Sequence, residues 1–124
     1  MPSRAYEKAL DMLRSLCLGL PEAKEVKAWG HPTFRGGKKM FAAFGEGVEG
    51  KDGLSLGVKV GFDRQEELIK DTRFYPTPYA AHQGWVSLRI DGRTDWAEVK
   101  GLLLEAYRQV ALKRMLKALD APAA

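Results

Sequence analysis

The apolar residues of this chain change their spacing twice, and this constrains its fold more than any other feature. Near the start they recur every three or four residues, as on one face of a helix. Two later segments, Leu54–Val60 and Trp85–Ile90, alternate apolar and polar side chains with the period of a half-buried strand. Helical spacing returns from Trp96 to about Ala118. We therefore predict strands placed between two amphipathic helices.

Local signals set the expected bounds of these elements. Ser3 is predicted to cap the first helix, which Gly19 and Pro21 end. Asp63 is predicted to cap a short helix and Asp95 the last one, because each has a Glu three residues later, as in a capping box. The short helix is expected to span Arg64–Lys70, and the segment 71–84 is expected to be a loop rich in Pro and aromatic residues.

Three shorter strands are predicted before the first clear one. They are Glu25–Ala28, Thr33–Arg35 and Lys39–Phe44. Gly36-Gly37-Lys38 has the composition of a tight hairpin turn, and residues 45–53 that of a longer hairpin loop. Strands grouped together and flanked by helices indicate an α+β fold. We predict a two-layer sandwich in which an antiparallel sheet carries the N- and C-terminal helices on one face, as a single domain over residues 1–120 with 121–124 as a short C-terminal tail.

Composition gives expectations about the environment. The single cysteine, Cys17, lies in the apolar stripe of the first helix, so we predict a buried core residue and a reducing, cytoplasmic location. No apolar run approaches the ~20 residues that span a bilayer, and the start lacks the apolar segment of a signal peptide, so no membrane partner is expected. The sequence contains no Asn and only three Gln, which indicates a thermophilic source.

The residues offer little for catalysis. His31 and His82 are the only imidazoles, and there is no Cys/His cluster of the kind that binds zinc. No Ser occupies a Gly-x-Ser-x-Gly elbow, and no phosphate-binding Gly-x-x-x-x-Gly-Lys-Ser/Thr loop is present. We therefore predict a non-enzymatic protein with no cofactor and no metal. The net charge of +4 is compatible with an anionic partner, although it is spread along the chain.

Strand alternation predicts which side chains lie on the sheet face that the helices leave open. The predicted set is Ser55, Gly57, Lys59, Trp85, Ser87 and Arg89, joined by Lys27, Trp29 and Arg35, with Lys39 as a further candidate. Glu25 is the expected acid at its edge. Cations interleaved with aromatic rings suit phosphates and bases. The alternative is an ordinary sheet face whose Trp rings pack under the loop 71–84.

Several motifs, in order, resemble the MmcQ/YjbR-like family over nearly the whole chain. They are the segment Leu16–Ala23, the block Trp29-Gly30-His31-Pro32-Thr33-Phe34-Arg35, the segments Gly37–Ala42 and Phe74–Tyr79, and Gly84-Trp85-Val86. The resemblance implies a CyaY/frataxin-like fold and DNA binding, with β-hairpin wings as the contact elements. Frataxin-like proteins also bind iron through an acidic first helix. Here Glu7 and Asp11 alternate with basic residues, which argues against iron.

The leading hypothesis is a DNA-binding module that uses the open sheet face and the hairpins. Phosphate contacts are assigned to Arg35, Lys38, Lys39, Lys59 and Arg89; stacking or wedging to Trp29, Tyr79 and Trp85; and lining positions to His31 and His82. Two alternatives stay open. One is a protein-interaction module that docks a partner on the same Trp-bearing face, and the other is a small-molecule pocket between Trp29-Gly30-His31 and the loop 71–84.

Overall fold

The computed structural model describes residues 3–47 and 53–122. Its elements are α1 (Arg4–Leu18), β1 (Ala23–Ala28), β2 (His31–Gly36), β3 (Lys39–Glu46), β4 (Leu54–Lys59), α2 (Phe62–Leu68), β5 (Phe74–Pro76), a 3₁₀ helix (Ala81–Gln83), β6 (Trp85–Ile90), α3 (Trp96–Val110) and α4 (Lys113–Asp120). The six strands form one antiparallel sheet in the order β1-β2-β3-β4-β6-β5. Helix α1 packs on β1, and α3 packs across β2, β3 and β4. The predicted α+β sandwich is confirmed.

The core lies between the sheet and the two long helices. The strand residues predicted to face the helices are buried there: Leu54, Leu56, Val58, Val86, Leu88 and Ile90. From α3, the Tyr107 ring meets Phe41 edge-on, and its hydroxyl donates to the carbonyl oxygen of Pro21 at 2.7 Å. Cys17 is fully buried, and this burial raises the pKa of its thiol to about 12. The thiol is therefore a core group, as predicted, and not a nucleophile at neutral pH.

Two of the three predicted helix caps are present. The Ser3 hydroxyl accepts from the Tyr6 amide, and the Asp95 carboxylate accepts from the amides of Ala97 and Glu98. The prediction for Asp63 is wrong. Helix α2 already begins at residue 62, because the Gly61 amide is bound to the Gly84 carbonyl and its positive φ starts the helix early. The Asp63 carboxylate then lies in the first turn, where the helix dipole favours a negative charge.

The prediction of one C-terminal helix running to about residue 118 is also wrong. The chain is extended at Ala111 and Leu112, with ψ of 142° and 158°, and α4 begins after them. Neither Gly nor Pro marks this break. It is set by packing, because the change of direction brings Met115 to a fully buried position in the core. Tertiary contacts therefore override a continuous helical pattern.

Two strand predictions also need correction. The predicted loop 71–84 contains the edge strand β5, and the predicted loop 45–53 is shorter because β3 runs to residue 46; residues 48–52 lie outside the described part of the chain. Glu25 and Lys27 are on the helix side of β1, since they pair with Phe34 and Pro32 rather than with open-face residues. Glu25 accepts two hydrogen bonds from the Arg14 guanidinium of α1, which lowers the pKa of Glu25. The open face therefore loses one predicted acid and one predicted cation.

Candidate functional site

Small side chains form the floor of the open face. Thr33 pairs with Ala43, Ala43 with Gly57, and Gly57 with Ser87, so these residues make one row across β2, β3, β4 and β6. A Cβ atom at Gly57 would lie 3.4 Å from Ser87 Oγ and 3.5 Å from the Trp85 ring. The ring of Trp85 therefore lies close over the floor, within van der Waals reach of a Cβ atom at residue 57.

The segment after β5 covers one side of this floor. The hydroxyls of Thr77 and Ser87 are 2.8 Å apart, and Gln65 Nε2 of α2 donates to the carbonyl oxygens of Ala81 and Trp85, both at 2.7 Å. These bonds fix the loop against the sheet. As a consequence Trp85 is only 6% exposed, although it faces the open side as predicted.

A cavity of about 740 Å³ remains above the floor. Its walls include the rings of Trp29, Tyr75, Tyr79 and Trp85, and its polar groups include Lys39, Lys59 and His31. Among the described residues that line it there is no Asp or Glu. The volume is within the range of small-molecule sites, roughly 300–1,000 Å³. This open-face cavity therefore combines aromatic walls with an excess of positive charge.

Two aromatic side chains stand at the rim of the open-face cavity. Trp29, in the turn between β1 and β2, is 88% exposed, and Tyr79, after β5, is 85% exposed. Both have a positive φ, 50° and 63°. The two rings are thus accessible to a partner, whereas Trp85 is available only from inside the cavity.

The structure brings together six of the ten predicted contact residues. These are Trp29, His31, Lys39, Lys59, Tyr79 and Trp85, which all line the open-face cavity. Arg35 lies on the same face of β2, but its Nη1 donates to the Lys38 carbonyl at 3.3 Å, toward the exposed β2–β3 turn. His82 is exposed on the 3₁₀ helix, outside the cavity lining.

Of the two remaining predicted residues, Lys38 is exposed in the β2–β3 turn, and Arg89 belongs to a second cavity, of about 550 Å³, beside β4 and β6. Its charged lining residues are Arg73, Arg89, Arg93, Asp91, Asp95 and Glu98. The Arg73 guanidinium binds both the Asp71 and the Glu98 carboxylates, at 2.7 and 2.8 Å. This second cavity therefore contains carboxylates that compete with any anion for its cations.

Sequence reasoning missed two residues that shape the open-face cavity, Tyr75 of β5, which lines it, and Gln65 of α2, which holds its covering loop. Tyr75 lies on the open face opposite Ser87, and Gln65 holds the loop from below. The signal for Tyr75 was weak because β5 has three residues and ends in Pro76, which is typical of an edge strand. Gln65 carried no sequence signal, since its role depends on contacts 16 and 20 residues away.

The hydroxyl groups that line the open-face cavity are held by structural partners. The Thr33 hydroxyl donates to the Val26 carbonyl, and those of Thr77 and Ser87 bind each other, so none of the three is activated by a base. In the part of the chain that the structure describes, no group of three or more His, Cys, Asp or Glu residues could hold a metal ion. The arrangement is suited to a flat ring that carries a negative charge.

A family model described as YjbR matches residues 18–109. The chain belongs to the YjbR family. The matched region includes every strand of this YjbR sheet and all residues of the open-face cavity. The resemblance read from the sequence motifs is therefore confirmed.

Two solved structures share the YjbR chain's fold. A Deinococcus radiodurans protein, DR2400, with a DUF419 domain is 27% identical, with a TM-score of 0.70 and coverage of 91% of this chain and 88% of the other. A Pseudomonas syringae protein is 17% identical, with a TM-score of 0.65 and coverage of 87% and 98%. No curated protein matches the YjbR chain. Within the described ranges, no helix is both long and apolar enough to cross a bilayer.

Proposed function

We propose that this YjbR-family protein binds DNA through its open sheet face and catalyses no reaction. The observation that carries the proposal is the open-face cavity, where Lys39 and Lys59 are accompanied by aromatic walls and by no carboxylate among the described lining residues. Lysines provide the charge that phosphates require, and exposed rings provide surfaces on which bases stack.

Further cations extend this surface beyond the cavity. Arg35 pairs across the sheet with Met40, a cavity residue, and Arg89 pairs with Ser55, which lines both cavities. Lys38 is exposed in the adjoining hairpin turn. A DNA backbone that crosses the open face would therefore meet cations on both sides of the aromatic rim, and each neutralised phosphate releases condensed counterions.

The absence of catalysis belongs to the same proposal. An acyl- or phosphoryl-transfer site needs a nucleophile within reach of a base, or a metal that lowers the pKa of a bound water. The cavity hydroxyls of Thr33, Thr77 and Ser87 instead donate to or accept from structural partners. His31 then serves as a lining and hydrogen-bonding group.

The salt dependence of DNA binding tests the proposal. Affinity for a labelled duplex should fall steeply between ~50 and ~300 mM salt, and each lost phosphate contact should reduce the log–log slope by about 0.9. The double variant Arg35→Ala, Arg89→Ala should therefore flatten the slope by about 2. Lys100→Ala, at an exposed position of α3 on the opposite side of the sheet, is the matched control and should leave the slope unchanged. Affinity that is independent of salt would exclude phosphate contacts.

The volume of the open-face cavity favours a second candidate, a small-molecule site. Native mass spectrometry of the purified protein would reveal a bound metabolite as a discrete mass increment. A metabolite that DNA does not displace would support this candidate over DNA binding. The docking of a protein partner on the same face stays a prediction from the sequence.

A further inference from the structure

The two exposed rim aromatics occupy turn positions where large residues are unusual. Trp29 and Gly30, with φ of 50° and 79°, form the two-residue turn between the paired residues Ala28 and His31. Positive φ at both positions is the requirement of a type I′ turn, where Asn-Gly is the usual pair. The Trp29 ring is therefore present despite the local backbone preference.

Tyr79 also occupies a turn position with positive φ where a large residue is unusual. It follows Pro78, and the turn is closed by a hydrogen bond of 3.2 Å from the Ala80 amide to the Thr77 carbonyl. Pro at the second position and a φ of 63° at the third are the pattern of a type II turn, where Gly is the usual third residue. Both rim rings therefore cost the folded chain free energy.

One further non-glycine residue of the described chain has a positive φ, and its side chain makes contacts that offset the cost of this backbone conformation. Glu22, with φ of 55°, receives two hydrogen bonds from the Arg114 guanidinium, at 2.8 and 2.9 Å. The rings of Trp29 and Tyr79 are 88% and 85% exposed, and neither stacks on another ring within residues 3–47 and 53–122. Since no described residue gives either ring a hydrogen bond, an ion pair or a ring contact, we infer that the gain from these rings comes from a ligand.

The shape of the open-face cavity indicates which chemical group of the ligand would enter it. The floor of Thr33, Ala43 and Gly57 lets a flat group approach closely, and both rim rings line the same space. The bases of a duplex have their faces covered by neighbouring base pairs, whereas an unpaired or extruded base offers its faces for stacking. Lys39 and Lys59 line the space and form no ion pair with any described residue, so both are available to an anion.

We propose that the open-face cavity holds a single unpaired nucleobase, stacked on Trp29 and Tyr79, with its phosphate at Lys39 and Lys59. This rests on the proposed function where the base belongs to a DNA strand. A free nucleotide presents the same chemistry, and the experiment separates the two sources.

Three labelled DNA probes of about 12 nucleotides test the base contribution: an oligothymidylate, a duplex, and an abasic deoxyribose-phosphate strand of equal charge. Their binding is measured by fluorescence anisotropy, and unlabelled thymidine monophosphate is titrated separately against tryptophan emission. The oligothymidylate should bind at least tenfold more tightly than the abasic strand, since a stacked base contributes roughly 5- to 150-fold in affinity. The duplex, whose base faces are covered, should bind less tightly than the oligothymidylate in spite of its higher charge.

The rim variants assign this preference to the two turns. Trp29→Asn supplies the usual Asn-Gly sequence and Tyr79→Gly supplies the usual Gly. Each should reduce the preference for the oligothymidylate by about tenfold, while the melting temperature stays equal to that of the wild type or rises. Trp29→Phe retains a ring and should restore most of the preference.

The outcomes separate this inference from the proposed function. Equal, salt-dependent binding of the thymidylate and abasic strands would overturn the base site while leaving DNA binding intact. Binding of thymidine monophosphate without binding of any strand would support the base site and reject DNA as the ligand. Binding of neither would reject both. A fall in melting temperature for both Trp29→Asn and Tyr79→Gly would show that the rings serve the fold, which also overturns the inference.

Discussion

The two cavities on the open face share a wall but differ in their charges. Ser55 and Tyr75 line both. The open-face cavity has two lysines and no carboxylate among its described residues, whereas the second cavity has three arginines beside three carboxylates. In the second cavity Arg73 is already bound to Asp71 and Glu98, so part of its charge is neutralised within the chain.

The difference shows that volume alone does not identify a binding site. An anion entering the second cavity must compete with carboxylates held close to each guanidinium, while one entering the open-face cavity meets cations without such competitors. The exposed strained aromatics occur only at the rim of the open-face cavity, as far as residues 3–47 and 53–122 are concerned. Charge balance and backbone strain point to the same cavity.

The largest expected effect comes from filling the floor of the open-face cavity. A leucine at Gly57 would project into the space above the row of small residues, while its Cβ makes contacts of ordinary length with Ser87 and Trp85. Gly57→Leu should therefore lower the affinity for single-stranded DNA by about 10- to 100-fold, the loss of the one stacked base. Fluorescence anisotropy with the oligothymidylate measures this change.

Gly57→Ala is the matched control for this substitution. Its methyl group would lie 3.4–3.6 Å from its nearest neighbours, which is ordinary van der Waals contact, so affinity should change less than about twofold. Wild-type affinity in the leucine variant, with a native melting curve, would show that DNA does not use this cavity. The contrast between the two cavities would then carry no functional meaning.

The floor of the open-face cavity could be predicted from the sequence, whereas the packing of the loop that covers it could not. Alternation alone assigned Gly57, Ser87 and Trp85 to the open face, and β6 has the predicted bounds Trp85–Ile90. These successes follow from the fixed period of two in a strand, which any half-buried sheet must obey. The burial of Trp85 depends instead on the bonds from Gln65 and Thr77, which link segments that no local pattern connects.

The errors have the same origin. The break in the C-terminal helix at Ala111 has no local signal, because it is set by the burial of Met115. Glu25 was wrongly assigned to the open face because β1 is a short strand with few apolar residues. The strain at Trp29 was also invisible, because a Trp-Gly pair does not by itself specify a turn with two positive φ values. Residue propensities and the period of the apolar pattern predict helices and strands, whereas tertiary packing determines which residues contact one another.

An intermediate effect is expected from reversing one charge in each cavity. Lys59→Glu removes a phosphate contact and adds repulsion, so the affinity for DNA should fall by about fivefold or more at ~50 mM salt. Arg93→Glu, in the second cavity, adds a carboxylate where three already lie and should lower affinity by less than about twofold. Titrations at two salt concentrations measure both variants. Equal losses for the two would mean that the DNA contacts extend beyond Arg89 to Arg93, and the difference in charge between the two cavities would not decide where DNA binds.

The smallest effect concerns the stability that the second cavity contributes. Hydrogen bonding to the Arg73 guanidinium lowers the pKa of Asp71 below its ordinary value of 3.8. A carboxyl whose pKa is lowered in the folded state stabilises the fold above its unfolded pKa, and this contribution disappears as the pH falls through the folded value. Arg73→Ala should therefore lower the melting temperature slightly at pH 7, and the two proteins should converge as the pH falls below about 3.8. Thermal melts from neutral to acidic pH measure this, with Lys100→Ala as a control that should not depend on pH in this way.

Because the contribution is internal to the chain, Arg73→Ala should leave DNA affinity within about twofold of the wild type. A loss of affinity as large as that of Lys59→Glu would instead make Arg73 a contact residue like Arg89, in spite of its bonds to carboxylates.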